Sequence, residues 1–279
     1  MPRCAVTVID EQSNILGNCI VKTDDEILEY VLGQDDEDGI IVGIDAPLII
    51  PTWVTKQRPC EIVMGKLDLP AYPANRNLFN QQYNGVRGEH LVSLFESKIP
   101  GMHFVDSLNP RMPVRAIMEI YPYATLKYLY WEISRQGLLT LKEFKTEFNK
   151  IKVPKYKGCK VNKDKRINGL EHNIQLIRRF IKLRDGIVFS PTLTTENFNV
   201  LHPDLNIGMT VNELEQVSDY LDSAAAAYTV WRYWLYGDAQ SIVVGNKNDG
   251  YILIPADEHI KARLTTIINT VSLCNVTKK

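Results

Sequence analysis

Three acidic residues, Asp45, Glu119 and Asp222, have the side chains and the placement needed to bind a cation or to move a proton. Asp45 follows the apolar run 40–44, and Glu119 lies near the end of a second apolar run, 114–120, shortly before a proline. A carboxylate at the end of a strand buried on both faces must be paired, bind a metal ion or become protonated. A second interpretation of Asp45 stays open, in which it hydrogen-bonds the backbone of the following turn.

Asp222 is expected on a long helix. Thr210 and Glu213 form a capping box, which predicts a helix that runs to about Tyr236 and stops at Gly237. Residues 224–227 are all alanine, and such small side chains allow a helix to approach a sheet closely. The Asp222 carboxylate could therefore be pressed toward the sheet, although an aspartate on a helix usually faces solvent.

The remaining pattern predicts an α/β protein. Residues 4–9 and 15–21 read as a hairpin of two strands, and the capping box at Thr23 opens a helix before the strand that ends at Asp45. A helix from about Ala124 follows the Glu119 strand, and residues 241–254 form a hairpin around an Asp-Gly turn. A last amphipathic helix begins near His259. We expect a single domain over residues 1–279.

Residues 51–110 form a long connection directly after the Asp45 strand, rich in Pro, Asn and Gly and with one helical stretch at 89–98. A connection of this length next to a site is more often a functional lid than slack chain. We take Arg58 and Arg87 within it as candidate substrate-binding residues. A solvated loop would carry such side chains too.

Residues 142–184 are strongly basic. They carry fourteen Lys or Arg against four acidic residues, which gives +10 in a chain whose net charge is −1, so the remainder carries about −11. Such asymmetry is typical of a surface that meets a polyanion, and a solvated helical surface is the alternative. We expect a helical basic insertion at about 137–208 in which Lys155 and Lys157 contact phosphate.

The composition of the 279-residue chain is that of a globular protein, with 45% hydrophobic and 23% charged residues. No apolar run reaches membrane-spanning length, and residues 4–9 are too short for a signal peptide. The five cysteines have no C-x-x-C spacing, which argues against a disulfide framework or a structural zinc site. We therefore expect a cytoplasmic protein without a membrane partner.

Three motifs resemble one known family. They are I-D-A-P at 44–47, E-I-Y-P-Y-A-T-L at 119–126 and L-D-S-A-A-A-A-Y-T-V-W-R-Y at 221–233, and the hairpin D-G-Y-I-L-I-P at 249–255 extends the likeness. The set resembles the domain-of-unknown-function family 429, whose members are considered nucleases with a ribonuclease H-like fold. The resemblance implies a mixed sheet flanked by helices and a metal-dependent phosphodiesterase. Asp45, Glu119 and Asp222 would then be catalytic residues that bind Mg²⁺ or Mn²⁺, with DNA or RNA as the partner.

The chain departs from that pattern at its start. Ribonuclease H-like folds open with a central strand that bears the first catalytic Asp, whereas the first hairpin here matches the second and third strands. Three explanations compete: a start that lies upstream, residues 4–9 in the central position with Asp10 as the ligand, or a sheet that has closed up. We prefer the first, because an Asp in a hairpin turn is usually a turn residue.

Two other functions remain open. A catalytically impaired nucleic-acid-binding protein on the same fold would have lost the first carboxylate, and it would bind in a salt-dependent way without cleavage. A small-molecule enzyme could use the carboxylates as general acid and base, and the basic segment would then be only a solvated face. Cys60 and Ser223 are conceivable nucleophiles, but neither has a histidine partner at a suggestive spacing.

Overall fold

A computed structural model describes residues 3–35, 39–135, 137, 139–158, 161–193 and 197–276. The amino-terminal part contains β1 (Cys4–Ile9), β2 (Asn14–Val21), α1 (Asp24–Leu32), β3 (Gly39–Ile44), α2 (Pro59–Lys66), α3 (Arg76–Tyr83), α4 (Arg87–Lys98), β4 (His103–Phe104), β5 (Val114–Glu119) and α5 (Pro122–Ser134). The rest contains α6 (Leu141–Lys150), α7 (Lys163–Ile177), β6 (Lys182–Leu183), α8 (Val211–Tyr236), β7 (Ser241–Asn246), β8 (Gly250–Pro255) and α9 (Glu258–Val276). The expected α/β class is confirmed.

The strands form three small sheets. The first has the order β1-β2-β6, with β1 and β2 antiparallel, and the second has the order β3-β5-β4 with parallel pairs. The third is the antiparallel hairpin β7-β8, which touches the second sheet through a bridge between Ile120 and Leu253. Within the described ranges, β1 and β3 each pair with a strand on one side only.

Helices cover both faces of the first two sheets. On one face, α1 and α4 pack on β1 and β3 through a core that includes Val6, Val31, Val42 and Phe95. On the other face, α8 crosses both β1 and β3. Gly43 makes the second approach possible, because a Cβ at this position would lie 2.8 Å from Val230 Cγ1. The alanine run of α8 and this glycine thus let the helix lie directly on β3.

The helix starts follow their caps. Thr210 accepts a hydrogen bond from the Glu213 N–H, and the Glu213 carboxylate accepts one from the Thr210 N–H, as the capping box predicts. Thr140 and Glu143 repeat the arrangement at the start of α6. The long helix α8 ends at Gly237, whose φ of 54° suits glycine.

Two regions expected as loop and insertion contain regular structure that packs into the core. Residues 51–110 hold α2 and α3 in addition to the expected helix α4. In the basic region, the rings of Phe144 and Phe148 lie 5.1 and 6.0 Å from Trp131 of α5, and β6 extends the first sheet beside β2. Among the helices that the structure describes, none combines the length and the apolar composition needed to span a bilayer.

Candidate functional site

Asp45 lies directly after β3, at one end of a groove between β1 and β3. The residue is exposed in this groove, and the protein atoms packed around the groove partly desolvate its carboxyl group. Among the described residues, no hydrogen bond or ion pair reaches the Asp45 carboxyl. This burial and the neighbouring charge of Asp222 raise the pKa of Asp45 from 3.8 to about 7.

Asp222 comes from α8 to the same groove, and Lys157 holds it there. The Lys157 Nζ lies 2.5 Å from Asp222 Oδ2 and 3.0 Å from Asp219 Oδ1, one helical turn earlier. The Tyr156 hydroxyl donates to Asp222 Oδ1 at 2.7 Å, and Arg3 approaches Asp219 to 3.6 Å. We call Asp45, Asp219, Asp222, Tyr156 and Lys157 the acidic rim.

The charges of the acidic rim are set by burial and by each other. Burial lowers the pKa of Lys157, but Asp222 and Asp219 outweigh it, so the pKa lies above its ordinary value. Burial raises the pKa of Asp222, whereas Lys157 and Tyr156 lower it. A contact of 2.5 Å to an ammonium group whose charged form is favoured indicates that Asp222 is ionised.

The segment that carries Tyr156 and Lys157 is fixed on α7. Arg166 Nε donates to the Tyr156 carbonyl at 3.0 Å, and the Asn173 amide donates to the Pro154 carbonyl at 3.0 Å. Gly169 lies so close that a Cβ there would be 2.2 Å from the Lys155 carbonyl oxygen. The backbone of Lys157 is therefore held by helix α7, and only its side chain extends into the groove.

Glu119, at the end of β5, has a different environment. Its carboxylate accepts hydrogen bonds from both terminal nitrogens of Arg58, at 2.8 and 2.5 Å, and from the Leu48 N–H at 2.8 Å. Both side chains are buried, and Arg58 Nε also donates to Glu61 at 2.8 Å. Burial raises the pKa of Glu119, while the Arg58 guanidinium, which keeps its proton, lowers it, so the two short contacts indicate an ionised pair.

The other residues singled out in the sequence lie apart from one another. Arg87 lines the groove but forms an ion pair with Asp24, with 2.6 Å between Nη2 and Oδ1. Lys155 is exposed. The Asp10 carboxylate accepts hydrogen bonds from the N–H groups of Gln12 and Asn14, so it serves the β1-β2 turn.

The acidic rim brings together two of the three predicted ligands, Asp45 and Asp222. Within the described residues, no three His, Cys, Asp or Glu side chains are arranged to hold a metal ion. Glu119 is occupied by Arg58, and Lys157 lies on Asp222. Of the three carboxylates that the resemblance implies as metal ligands, Asp45 and Asp222 thus lie at one site, whereas Glu119 is bound by Arg58.

Sequence reasoning did not find Asp219 or Tyr156, and it did not connect Lys157 with Asp222. An aspartate on a helix usually faces solvent, but Asp219 is half-buried and paired with Lys157. The only sequence signal was that Asp219 and Asp222 are three residues apart on one helix, which places them on one face. The lysine comes from a segment more than sixty residues away, and no local pattern links the two.

Comparison with models of protein families, with curated proteins and with solved structures finds no match for this chain.

Proposed function

We propose that the protein is a metal-dependent phosphodiesterase of the ribonuclease H-like type, acting on DNA or RNA. The observation that carries the proposal is the carboxyl group of Asp45, which has no hydrogen-bond or ion-pair partner among the described residues and lies in a groove beside Asp222. A carboxyl group whose pKa is raised to about 7 by burial and a neighbouring acid is typical of a functional site. A divalent cation is the ligand that would relieve both effects.

The arrangement of strands is consistent with this fold. If one strand were placed between β1 and β3, the first two sheets would join in the order β6-β2-β1, new strand, β3-β5-β4. A ribonuclease H-like sheet with its first central strand missing would have such a gap. The three motifs that resemble the domain-of-unknown-function family 429 lie at the end of β3, at the end of β5 and on α8.

The roles proposed for the residues follow their surroundings. Asp45 and Asp222 would hold Mg²⁺ or Mn²⁺, which prefer carboxylate oxygens, and the ion would supply an activated water and stabilise the leaving oxygen. Glu119 positions the turn after β3 through the Leu48 N–H. When a metal ion displaces Lys157 from Asp222, its ammonium group would bind a phosphate of the substrate instead, because ammonium and phosphate groups form strong charged hydrogen bonds.

The exposed lysines and arginines of the basic region support a nucleic-acid partner, since they would contact the phosphate backbone and release counterions. The exposed basic residues of this region are Lys142, Lys145, Lys150, Lys152, Lys155, Lys165, Arg178, Arg179, Lys182 and Arg184. Lys155 stays a candidate phosphate contact. Arg58 could reach a substrate only by giving up Glu119, so we assign it to the support of the site.

The test is cleavage of labelled single- and double-stranded DNA and RNA with Mg²⁺ or Mn²⁺, with chelator as the blank. Asp45→Asn should abolish cleavage without a loss of folding, and Asp204→Asn, at an exposed position outside the groove, should cleave as the wild type does. Unchanged cleavage by Asp45→Asn would refute the assignment.

A second function, nucleic-acid binding without cleavage, is favoured by the contact of Lys157 with Asp222. In that case Lys157 permanently takes the place of a cation. Binding that weakens with rising salt, together with no cleavage under either metal, would select this function.

A further inference from the structure

Tyr121 lies at the edge of the acidic rim, directly after β5. The Ile120 N–H donates to the Ile44 carbonyl at 3.0 Å, so the chain after Ile120 runs beside the chain after Ile44, which is Asp45. The two strands are parallel, and strands that pair lie about 4.8 Å apart. Burial raises the pKa of the Tyr121 hydroxyl and Asp45 raises it further, an effect that requires the two groups to be close.

The Tyr121 hydroxyl connects the acidic rim to the segment between α2 and α3. It donates a hydrogen bond to the Pro70 carbonyl at 2.8 Å. The segment is anchored at both ends, because Leu69 and Ala74 are buried and the Ala74 N–H donates to Glu61 at 2.9 Å. Its two prolines restrict the backbone between these anchors. The segment is therefore held in place beside the acidic rim.

Tyr72 extends from this segment into solvent. Its exposed fraction is 91%, although both ends of the segment are buried. The Tyr123 ring lies 5.8 Å from the Tyr121 ring, and besides burial and Asp45 both Tyr72 and Tyr123 raise the pKa of Tyr121. A single exposed tyrosine is common on protein surfaces, but this one has two further tyrosines and a candidate phosphate site next to it.

Exposed lysines lie near the same tyrosines. Burial and Asp222 raise the pKa of Tyr156, and Tyr121 adds to the effect, so the Tyr156 segment passes close to Tyr121. This segment also carries Lys152 and Lys155, which are exposed. Aromatic rings beside positive charges are the combination with which proteins bind single-stranded nucleic acid, since the rings stack on bases and the charges follow the backbone.

We propose that the substrate is a single strand of nucleic acid, and that an unpaired base next to the bound phosphate stacks on Tyr72. This assignment rests on the proposed phosphodiesterase, whose substrate it names. In a duplex each base is already paired and stacked between its neighbours, so its face is not available to a side chain. The bases of a single strand can turn outward onto an aromatic ring, while Lys152 and Lys155 contact the neighbouring phosphates.

The first experiment measures binding while chelator prevents cleavage. Fluorescence anisotropy compares a labelled strand of about twelve thymidines, within the size range of single-strand sites, with an abasic strand of the same length. The abasic strand keeps every phosphate and loses the bases, so it should bind at least about fivefold more weakly. A strand of uridines should bind as the thymidines do if stacking dominates. Equal affinity for the strand with bases and the abasic strand would overturn the proposal.

Three variants locate the stacked base. Tyr72→Ala should weaken binding of the single strand at least about fivefold, whereas Tyr72→Phe keeps the ring and should stay within about twofold of the wild type. Neither should alter the affinity for a duplex of the same length. Tyr236→Ala removes an exposed tyrosine about 20 Å along α8 from Asp222 and should bind as the wild type does. No loss in Tyr72→Ala, or an equal loss in Tyr72→Phe, would contradict stacking.

Binding and cleavage would fail in different ways. Cleavage by the wild type, together with unchanged single-strand binding by Tyr72→Ala, would overturn the stacked base and leave the phosphodiesterase standing. Base-dependent binding that requires Tyr72, without cleavage under Mg²⁺ or Mn²⁺, would support the stacked base and overturn the phosphodiesterase. A wild-type chain that binds neither strand would overturn both.

Discussion

Glu119 and Asp45 end two adjacent parallel strands, β5 and β3, yet they have opposite environments. Glu119 is buried and receives three hydrogen bonds, two of them from Arg58, whereas Asp45 faces the groove and has no partner in the part of the chain that the structure describes. Position at the end of a strand therefore does not decide the role of a carboxylate. The decisive factor is whether another segment brings a compensating cation, as the loop before α2 does for Glu119.

The largest effect on stability should come from removing Arg58, the cation that compensates the Glu119 carboxylate. Arg58→Met leaves Glu119 buried and uncompensated, so the free energy of unfolding should fall by about 3–5 kcal/mol, measured by urea denaturation. Adding Glu119→Gln should recover part of the loss, because the neutral amide needs no counter-charge. Arg179→Met, at an exposed position, should change the free energy by no more than about 0.5 kcal/mol. If Arg58→Met unfolded at the same urea concentration as the wild type, Glu119 would not depend on a compensating cation, and the difference drawn between Glu119 and Asp45 would be wrong.

A smaller effect should appear in the pH dependence of stability. The pKa of Asp45 is about 7 in the folded chain and 3.8 as its ordinary value, so between these values the folded state binds more protons than the unfolded state. Stability should therefore fall as the pH rises from about 4 to 7. Asp45→Asn should reduce this slope in melting temperatures recorded between pH 4 and 8, and Asp204→Asn should keep it. An identical slope in Asp45→Asn would show that another group causes the dependence.

The smallest effect on stability should come from Lys157→Gln. The lysine is partly exposed, so the loss should be only about 1 kcal/mol or less. Removing its charge leaves Asp45, Asp219 and Asp222 without a neighbouring lysine, so Mg²⁺ should raise the melting temperature more in this variant than in the wild type. Lys155→Gln, two residues away and exposed, is the control and should respond to Mg²⁺ as the wild type does. A smaller Mg²⁺ response in Lys157→Gln would mean that the lysine does not compete with a cation.

The fold could be predicted from the sequence wherever residues close in the chain determine the local structure. The first hairpin, the strands that end at Asp45 and Glu119, and the helix that Thr210 caps all lie within a few residues of their predicted bounds. Apolar runs and capping boxes depend only on residues that are close in sequence, so a single chain segment is enough to predict the element. α2 and α3 were missed because the Pro- and Asn-rich region 51–110 has little periodicity, and their helices depend on contacts such as those of Arg58 and Glu61.

The candidate site was predictable only in part, for the same reason. The residue pattern indicated a carboxylate at the end of a strand, Asp45, and one that a helix could press toward a sheet, Asp222, and only the resemblance to a known family implied that the two would meet. It could not indicate that Arg58 neutralises Glu119 or that Lys157 neutralises Asp222, because each ion pair joins segments about sixty residues apart. Such pairs follow from tertiary packing, which single-sequence patterns do not encode.

The attachment of Lys157 to α7 limits what can replace it at the acidic rim. Since Gly169 and Arg166 hold the neighbouring backbone, the ammonium group can leave Asp222 only by rotation about its own side-chain bonds. It then stays within one side-chain length of the groove and needs a new anion there. A ligand that brings a cation for the carboxylates and a negative charge for the lysine leaves neither group unpaired. A metal-bound anion should therefore displace Lys157 from Asp222 more easily than a bare metal ion does.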